Sequence, residues 1–312
     1  MPNILITGGT GTIGKRLTQL LLAKGHTVTI LSRKPASNAS AAGIHYAQWD
    51  VAKGLIDVEA VCKADYIVHL AGAGVAEKRW TASRKKEILD SRTQSSALLV
   101  QTLRDNPHTV QAVVSASAIG WYGPDTASSK QQGFTEDALP ETDFLGNTCK
   151  RWEESIDPVT QLGIRLVKLR TGIVLSNDGG AYIEFKKPLR WGIAGIIGGG
   201  HQVVSWIHTE DICRMYLYVI EQSAISGVFN AVAPLPVSNK QLTLELARQL
   251  RGKFFIPVHV PSFVLKIALG ELSIEVLKST TVSAAKIKST GFQFLYPSIE
   301  AAIQALVKEE RG

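Results

Sequence analysis

The chain has 312 residues, 34 Lys and Arg against 27 Asp and Glu, and a net charge of +7. That length holds one large domain or two unequal ones and buries most of its apolar surface without staples. The positive charge is dispersed: the clusters Arg84-Lys85-Lys86 and Lys186-Lys187 come with no nucleic-acid-binding motif, so a phosphate-bearing small molecule is the expected partner rather than nucleic acid. Cys62, Cys149 and Cys213 have no metal-ligand spacing and read as reduced thiols of a cytoplasmic protein. Met1 and Pro2 lead into an apolar run without a basic segment, so no signal peptide is expected, and no apolar stretch is long enough to span a bilayer.

The chain opens on Asn3 to Thr7, a short run of strand formers, followed by Gly8, Gly9, Gly11 and Gly14 and then the amphipathic run after Gly14. The glycines fit both G-x-G-x-x-G (Gly9, Gly11, Gly14) and G-x-x-G-x-x-G (Gly8, Gly11, Gly14). Residues without a Cβ let the backbone turn sharply and let a pyrophosphate come close, and a helix starting near Thr12 aims free N–H groups at it. A second strand, Thr27 to Leu31, closes the unit, which predicts dinucleotide binding.

From Met1 to Trp49 there is no Asp or Glu. NAD-binding units of this kind usually place a carboxylate after the second strand to accept from the ribose 2′-hydroxyl. Here Leu31-Ser32-Arg33-Lys34 stands there; Arg33 can clamp a 2′-phosphate bidentately and Ser32 can donate to it, so the expected cofactor is NADP. Pro35 to Gly43 is a Ser/Ala/Asn-rich loop, and Ile44 to Gln48 a third strand. Asp50, just beyond it, either contacts the adenine amino group or serves the turn.

Asp65 to Gly72 reads as a central strand running into a small-residue turn that leaves room for a cofactor. His69 within it reads as a core histidine. Arg79-Trp80-Thr81 opens a long helix, Ala82 to Leu103, whose Glu87 and Arg92 contact ribose and phosphate or are ordinary surface charges. Ala112 to Ser117 is the fifth strand, with Ser115 and Ser117 at its carboxyl end, where ligands sit in open α/β sheets. Trp121 to Pro124 is a turn, followed by a polar loop to Glu141. Asp143 to Ile156 has helical periodicity. Arg165 to Leu169 is a strand followed by Arg170-Thr171-Gly172. Tyr182 to Gly200 ends in a glycine cluster that offers a diphosphate-binding element. Ser205 to His208 is a short strand before the helix Ile212 to Ile220, and Gly227 to Ala231 is the last strand. Helical stretches follow near Asn239 to Leu250, Pro261 to Leu269, Ile274 to Lys278 and Ser298 to Val307. The division expected is a cofactor domain over 1–235, with 177–202 contributing to the substrate lobe, and a small substrate or lid domain over 236–312.

The run Thr7 to Gly14, the Leu70-Ala71-Gly72 turn, the serine-rich strand end with Tyr122-Gly123, and Trp206 to Asp211 together resemble the extended short-chain dehydrogenase/reductase superfamily. Arg79-Trp80-Thr81, Ser91-Arg92, Ser115 to Ala118, Leu169 to Leu175, Gly270-Glu271 and Gly291-Phe292 with Tyr296-Pro297 resemble its atypical branch of nucleoside-diphosphate-sugar epimerases with a small extra C-terminal domain. The resemblance implies a Rossmann-like doubly wound parallel sheet with a smaller, mostly helical C-terminal lobe. It also implies NADP contacts at Thr10, Gly11, Thr12, Ile13, Ser32, Arg33, Leu70, Ala71, Glu87, Arg92 and Arg170, with Gly8 and Gly72 shaping the turns, and either a monomer or a homodimer.

The superfamily pairs a Ser with Tyr-x-x-x-Lys, in which the lysine lowers the tyrosine pKa for proton transfer. Ser117 fits the serine. Counting back four from Lys150 reaches Gly146, and aligning on Trp152-Glu153 puts Leu145 and Cys149 at the pair; no register supplies the tyrosine. Tyr122 and His208 are substitute candidates that read equally as packing residues. The expected function is therefore an NADP(H)-dependent epimerase, dehydratase or reductase acting on a nucleotide sugar or polyol through Ser117, with Tyr122 or a water held by Lys150 giving the proton. The alternative is a cofactor-binding sensor without catalysis.

Overall fold

A computed structural model describes residues 1–35 and 43–311, so most of the loop read from Pro35 to Gly43 lies outside the described residues. The described strands of the main sheet run parallel: β1 (Asn3–Thr7), β2 (Thr27–Ser32), β3 (Ile44–Asp50), β4 (Tyr66–His69), β5 (Ala112–Ala118), β6 (Arg165–Thr171) and β7 (Gly227–Ala231). Their order is β7-β6-β5-β4-β1-β2-β3, and Leu55–Ile56 adds an antiparallel edge to β3. Strand order reverses at β1, whose neighbours are β2 and β4, and ligands of open α/β sheets bind beyond the strand ends at such a reversal.

Both faces of this sheet are covered, and the alternation along β1 shows how. Ile4 and Ile6 pack with Leu17 and Leu21 of α1 (Thr12–Ala23) and with Met215 and Val219 of a later helix, Thr209–Glu221. Leu5 points the other way, toward Leu99 and Leu103 of α2 (Ala82–Asp105) and Ile156 of α3 (Phe144–Ile156). Thr81 and Asp143 cap α2 and α3, each accepting a backbone N–H with its side chain.

A second core gathers Leu175, Tyr182 and Leu189 with Leu242, Leu246, Ile303 and Leu306. It is built from α4 (Ala181–Leu189), α6 (Asn239–Arg251, following α5 at Thr209–Glu221) and α9 (Ile299–Arg311, following α7 at Ser262–Leu269 and α8 at Leu272–Leu277). Its edge is a parallel pair, Ile193–Ile197 with Ile256–Val260. The latter carries Pro257 and is mostly exposed, so its sequence does not read as a strand. The polar stretch expected as loop before Glu141 contains a one-and-a-half-turn helix, Ala127–Gln132, closed by a Thr126/Ser129 capping box and too short for a periodic signature.

The C-terminal segment is stitched back onto the sheet. The Asp125 carboxylate accepts from Ser279 Oγ and Thr281 Oγ1 at 2.8 Å each and from the Thr281 N–H at 2.7 Å. Val282, Ala284, Ile287 and Phe292 then enter the first core beside Phe229 and Ala231.

Candidate functional site

The glycine turn between β1 and α1 is a backbone cradle. Gly8 takes φ +72° and presses on the Leu70 backbone, where a Cβ would lie 3.0 Å from its carbonyl atoms. At Gly14 a Cβ would come within 2.5 Å of the Gly8 oxygen. Gly11 differs: a Cβ there would touch only the Gly8 oxygen, at 3.4 Å. Packing within the chain does not demand a glycine at 11; room for a close-lying group does. Gly11 is also the N-cap of α1 and supplies no side-chain cap, so the first-turn N–H groups stay free, with Thr10 exposed and Thr12 and Ile13 half-buried beside them.

The neighbouring strand end is held by a buried relay. Thr7 Oγ1 accepts the Leu70 and Ala71 N–H groups at 3.1 Å each and donates to His69 Nδ1 at 2.8 Å. The Ser95 and Ser96 hydroxyls donate to the Arg92 carbonyl, leaving them to accept from His69 Nε2. Burial pushes the His69 pKa down to about 4, so the ring is neutral and structural. Gly72 leaves space for Arg92, whose guanidinium would lie 3.1 Å from a Cβ at 72.

Ser32 and Arg33 lie at the end of β2, Ser32 half-buried and Arg33 exposed. Asp50 ends β3 beside Lys53, at 3.4 Å. Glu87 is paired with Arg84 at 2.7 Å, which lowers its pKa, and its side chain is half exposed. Arg92 donates to the carbonyls of Ala73 and Ile88 and lies 4.9 Å from the Trp152 ring; burial lowers its pKa, and among the described residues no carboxylate pairs with it.

Beyond the ends of β5 and β6 lies a pocket of about 370 Å³ between α3 and the C-terminal lobe. Arg92, Ala118, Leu145, Cys149 and Trp152 form one wall; Ile173, Phe185, Val276, Glu275 and Lys278 belong to the others. Leu145 and Cys149 thus occupy the wall where the superfamily's tyrosine and lysine are expected from the Trp152-Glu153 register. Burial pushes the Cys149 thiol up to about 12, so it stays protonated.

The three residues expected to carry catalysis sit elsewhere. Ser117 is buried and donates to Glu153 Oε1 at 2.7 Å. Glu153 is clamped by Arg170 through Nε at 2.8 Å and Nη2 at 3.1 Å. Arg170 also donates to the Tyr122 hydroxyl at 3.1 Å and to the Glu136 carbonyl, and stacks 3.6 Å from the Trp121 ring. Tyr122, fully buried, donates to Asn230 Oδ1 at 2.6 Å, and burial pushes its pKa up to about 12. These hydroxyls are consumed inside the protein, and Arg170 faces Glu153 rather than the glycine cradle. Lys150 is half exposed on the outer side of α3, 3.7 Å from Glu154, so it holds no water in the pocket. His208 caps α5, accepting the Glu210 N–H at 3.0 Å, with its pKa lowered to about 4 by burial. The Gly198–Gly200 turn lies on the second lobe, where the Gly200 carbonyl accepts from the Lys240 N–H at 3.0 Å.

The polar end of the pocket comes from residues that sequence reading passes over. Lys278 Nζ lies 2.7 Å from Glu275, 3.2 Å from the Tyr122 carbonyl and 3.6 Å from Asp143. Burial raises the Glu275 pKa. The available signal was an acid and a base three apart inside the apolar run Leu272 to Lys278, which a mere surface face does not require.

A parallel sheet with this cradle at its switch point and a pocket beyond β5 and β6 defines a nucleotide-binding protein of the short-chain dehydrogenase type. The chain belongs to the NAD-dependent epimerase/dehydratase family, whose profile matches residues 4–144, while a domain of unknown function, DUF1731, matches residues 260–306. It is 36% identical to the epimerase family protein YfhF of Bacillus subtilis strain 168 over 99% of both chains. Among solved structures, the human epimerase family protein SDR39U1 with NADPH is 32% identical, with a TM-score of 0.84 over 98% of this chain and 99% of that one. A nucleoside-diphosphate sugar epimerase from Corynebacterium glutamicum is 30% identical with a TM-score of 0.76, and the match covers 98% of this chain and 58% of that longer one. Among the described residues no helix is long and apolar enough to cross a membrane, and no cluster of three metal-ligating side chains occurs.

Proposed function

We propose that this chain is an NADP(H)-dependent oxidoreductase or epimerase of the cytoplasm whose reaction runs in the pocket between the sheet and the C-terminal lobe. The observation that carries the reading is the open cradle at Gly11 with free helix N–H groups, joined to the pocket by the Leu70 to Gly72 turn, which abuts Gly8 on one side and Arg92 of the pocket wall on the other. Gly8, Thr10, Gly11, Thr12 and Ile13 receive the pyrophosphate, and Ser32 and Arg33 the 2′-phosphate. Asp50 lies toward the adenine, and Leu70, Ala71, Gly72, Glu87 and Arg92 toward the nicotinamide half. The NADPH-bound human relative supports the choice of NADP, as does the missing carboxylate after β2. When bound, the nicotinamide supplies hydride exchange. The chain's own contribution is a water-poor wall from α3 and a charged pair, Lys278 and Glu275, that holds or moves a proton at Nζ and Oε. Residues 1–235 serve as the cofactor domain and 236–312, with 177–202, as the substrate lobe.

A second reading, a cofactor-binding sensor, draws on the locked state of Ser117 and Tyr122. Calorimetric titration with NADPH and NADH tests the cofactor. NADPH affinity is expected to fall at least tenfold in Arg33→Ala while NADH binding does not change; equal affinity for both nucleotides overturns it. Lys278→Met separates enzyme from sensor: an enzyme loses turnover at retained NADPH affinity, and a sensor has no turnover to lose. A nucleotide-linked sugar or polyol, the substrate the resemblance implies, finds few free polar side chains in this pocket.

A further inference from the structure

That scarcity has a pattern. The hydroxyl side chains of the lining, and the oxygen of its amide Asn239, are already bonded within the protein. Thr148 donates to the Phe144 carbonyl at 2.7 Å. Ser205 donates to the Thr280 carbonyl at 2.8 Å and accepts the Val282 N–H at 3.0 Å. Asn239 accepts the Ile197 N–H at 2.9 Å, and Thr280 donates to the Gly123 carbonyl at 3.2 Å. What faces the cavity between them is hydrocarbon and sulfur: Leu145, Cys149, Ile173, Phe185 and Val276.

The several hydroxyls of a sugar carried into such a space lose their hydrogen bonds to water and find too few replacements. A hydrocarbon body loses nothing of the kind and gains by leaving water. Apart from the Arg92 guanidinium, engaged only through Nη1 and assigned above to the cofactor, unsatisfied capacity is concentrated at two places. Lys278 has three N–H donors, of which Glu275 and the Tyr122 carbonyl engage two within 3.2 Å, while Asp143 stands beyond hydrogen-bond length at 3.6 Å. The Trp152 indole N–H, in the opposite wall, is buried without a partner among the described residues.

We propose that the pocket receives a compact apolar molecule bearing a single carbonyl or hydroxyl group, seated with that oxygen at Lys278, and that it rejects nucleotide-linked sugars. The proposal rests on the reading of this pocket as the substrate site, and it concerns what binds rather than what reacts. The two charges at one end fix the orientation of the ligand. The apolar walls set its class, by the rule that a few placed polar groups in an apolar cleft give specificity.

The test is calorimetric titration of the full chain, with and without saturating NADPH, using acetophenone, ethylbenzene and UDP-glucose as probes. Acetophenone is expected to bind at least tenfold more tightly than UDP-glucose, and more tightly than ethylbenzene. In Lys278→Met the advantage of acetophenone over ethylbenzene disappears, and Leu145→Asp lowers both affinities at least tenfold with NADPH affinity retained. Tighter binding of UDP-glucose overturns the proposal, as does binding of none of the three. If either variant fails to fold, the wild-type ranking of acetophenone against UDP-glucose decides alone. A failure to bind NADPH overturns the cofactor reading instead, because the titrations without nucleotide still report the pocket.

Discussion

The cradle at Gly8–Gly14 and the pocket beyond β5 and β6 lie side by side and are made in opposite ways. The cradle is backbone, contiguous in the chain, and defined by what side chains leave out: a Cβ at Gly14 would collide with Gly8, while one at Gly11 would meet only the Gly8 oxygen, at 3.4 Å. The pocket is walled mainly by side chains, drawn from positions as far apart as Val75 and Thr280. A site of the first kind can recur in many proteins with one chemistry. A site of the second kind can change its chemistry by exchanging a few wall residues without disturbing the first.

Behind the pocket stands the Glu153–Arg170 pair, and breaking it gives the largest effect of any single substitution. Glu153→Ala leaves a buried guanidinium uncompensated and is expected to lower stability by about 3–5 kcal/mol, read as a fall in the urea midpoint, with NADPH affinity unchanged in the cold. A fall in NADPH affinity at full stability would instead return Arg170 to the cofactor cleft. Acid comes next, and it strikes the cradle side through His69. Unfolded chains protonate histidine near 6.5, whereas buried His69 and His208 resist down to about 4. Stability present above pH 6.5 is therefore lost as pH falls toward 4, by about 3 kcal/mol for each ring. His69→Gln should make that slope shallower in urea titrations across the window; an unchanged slope would remove His69 from the account.

Gly14→Ala forces the α1–β1 contact apart, at a cost of about 1–3 kcal/mol, and should abolish NADPH binding while leaving acetophenone binding intact. Simultaneous loss of both would show that the two sites are one unit. The smallest effect is expected at Lys150, on the solvent side of α3: Lys150→Ala should move stability by less than about 0.5 kcal/mol and leave both binding isotherms in place.

The difference in construction explains how much was legible in the sequence. Strands with both faces buried and long capped helices announce themselves locally, and β7, Gly227–Ala231, falls where its apolar run lies. The glycine spacing and the missing acid before Asp50 are likewise local. Ser117, Tyr122 and Arg170 were picked out for position, but their partners Glu153 and Asn230 stand tens of residues away, and only folding shows their polar groups spent on one another. Lys278 went unnoticed for the same reason in reverse. Its neighbours Tyr122 and Asp143 lie more than a hundred residues earlier, and the only local cue is Glu275 three residues before it in an apolar run.

The ties from Asp125 to Ser279 and Thr281 have a bearing on how such proteins diversify. The matched stretch 260–306 carries Lys278 and Glu275, yet the lysine is aimed by the carbonyl of Tyr122, within the matched stretch 4–144. A transplant of the tail onto another member of the family would bring the charged pair without its aim. Inheritance of specificity here travels with the junction, so recombination between relatives should succeed only when the Trp121–Glu141 stretch and the tail are exchanged together.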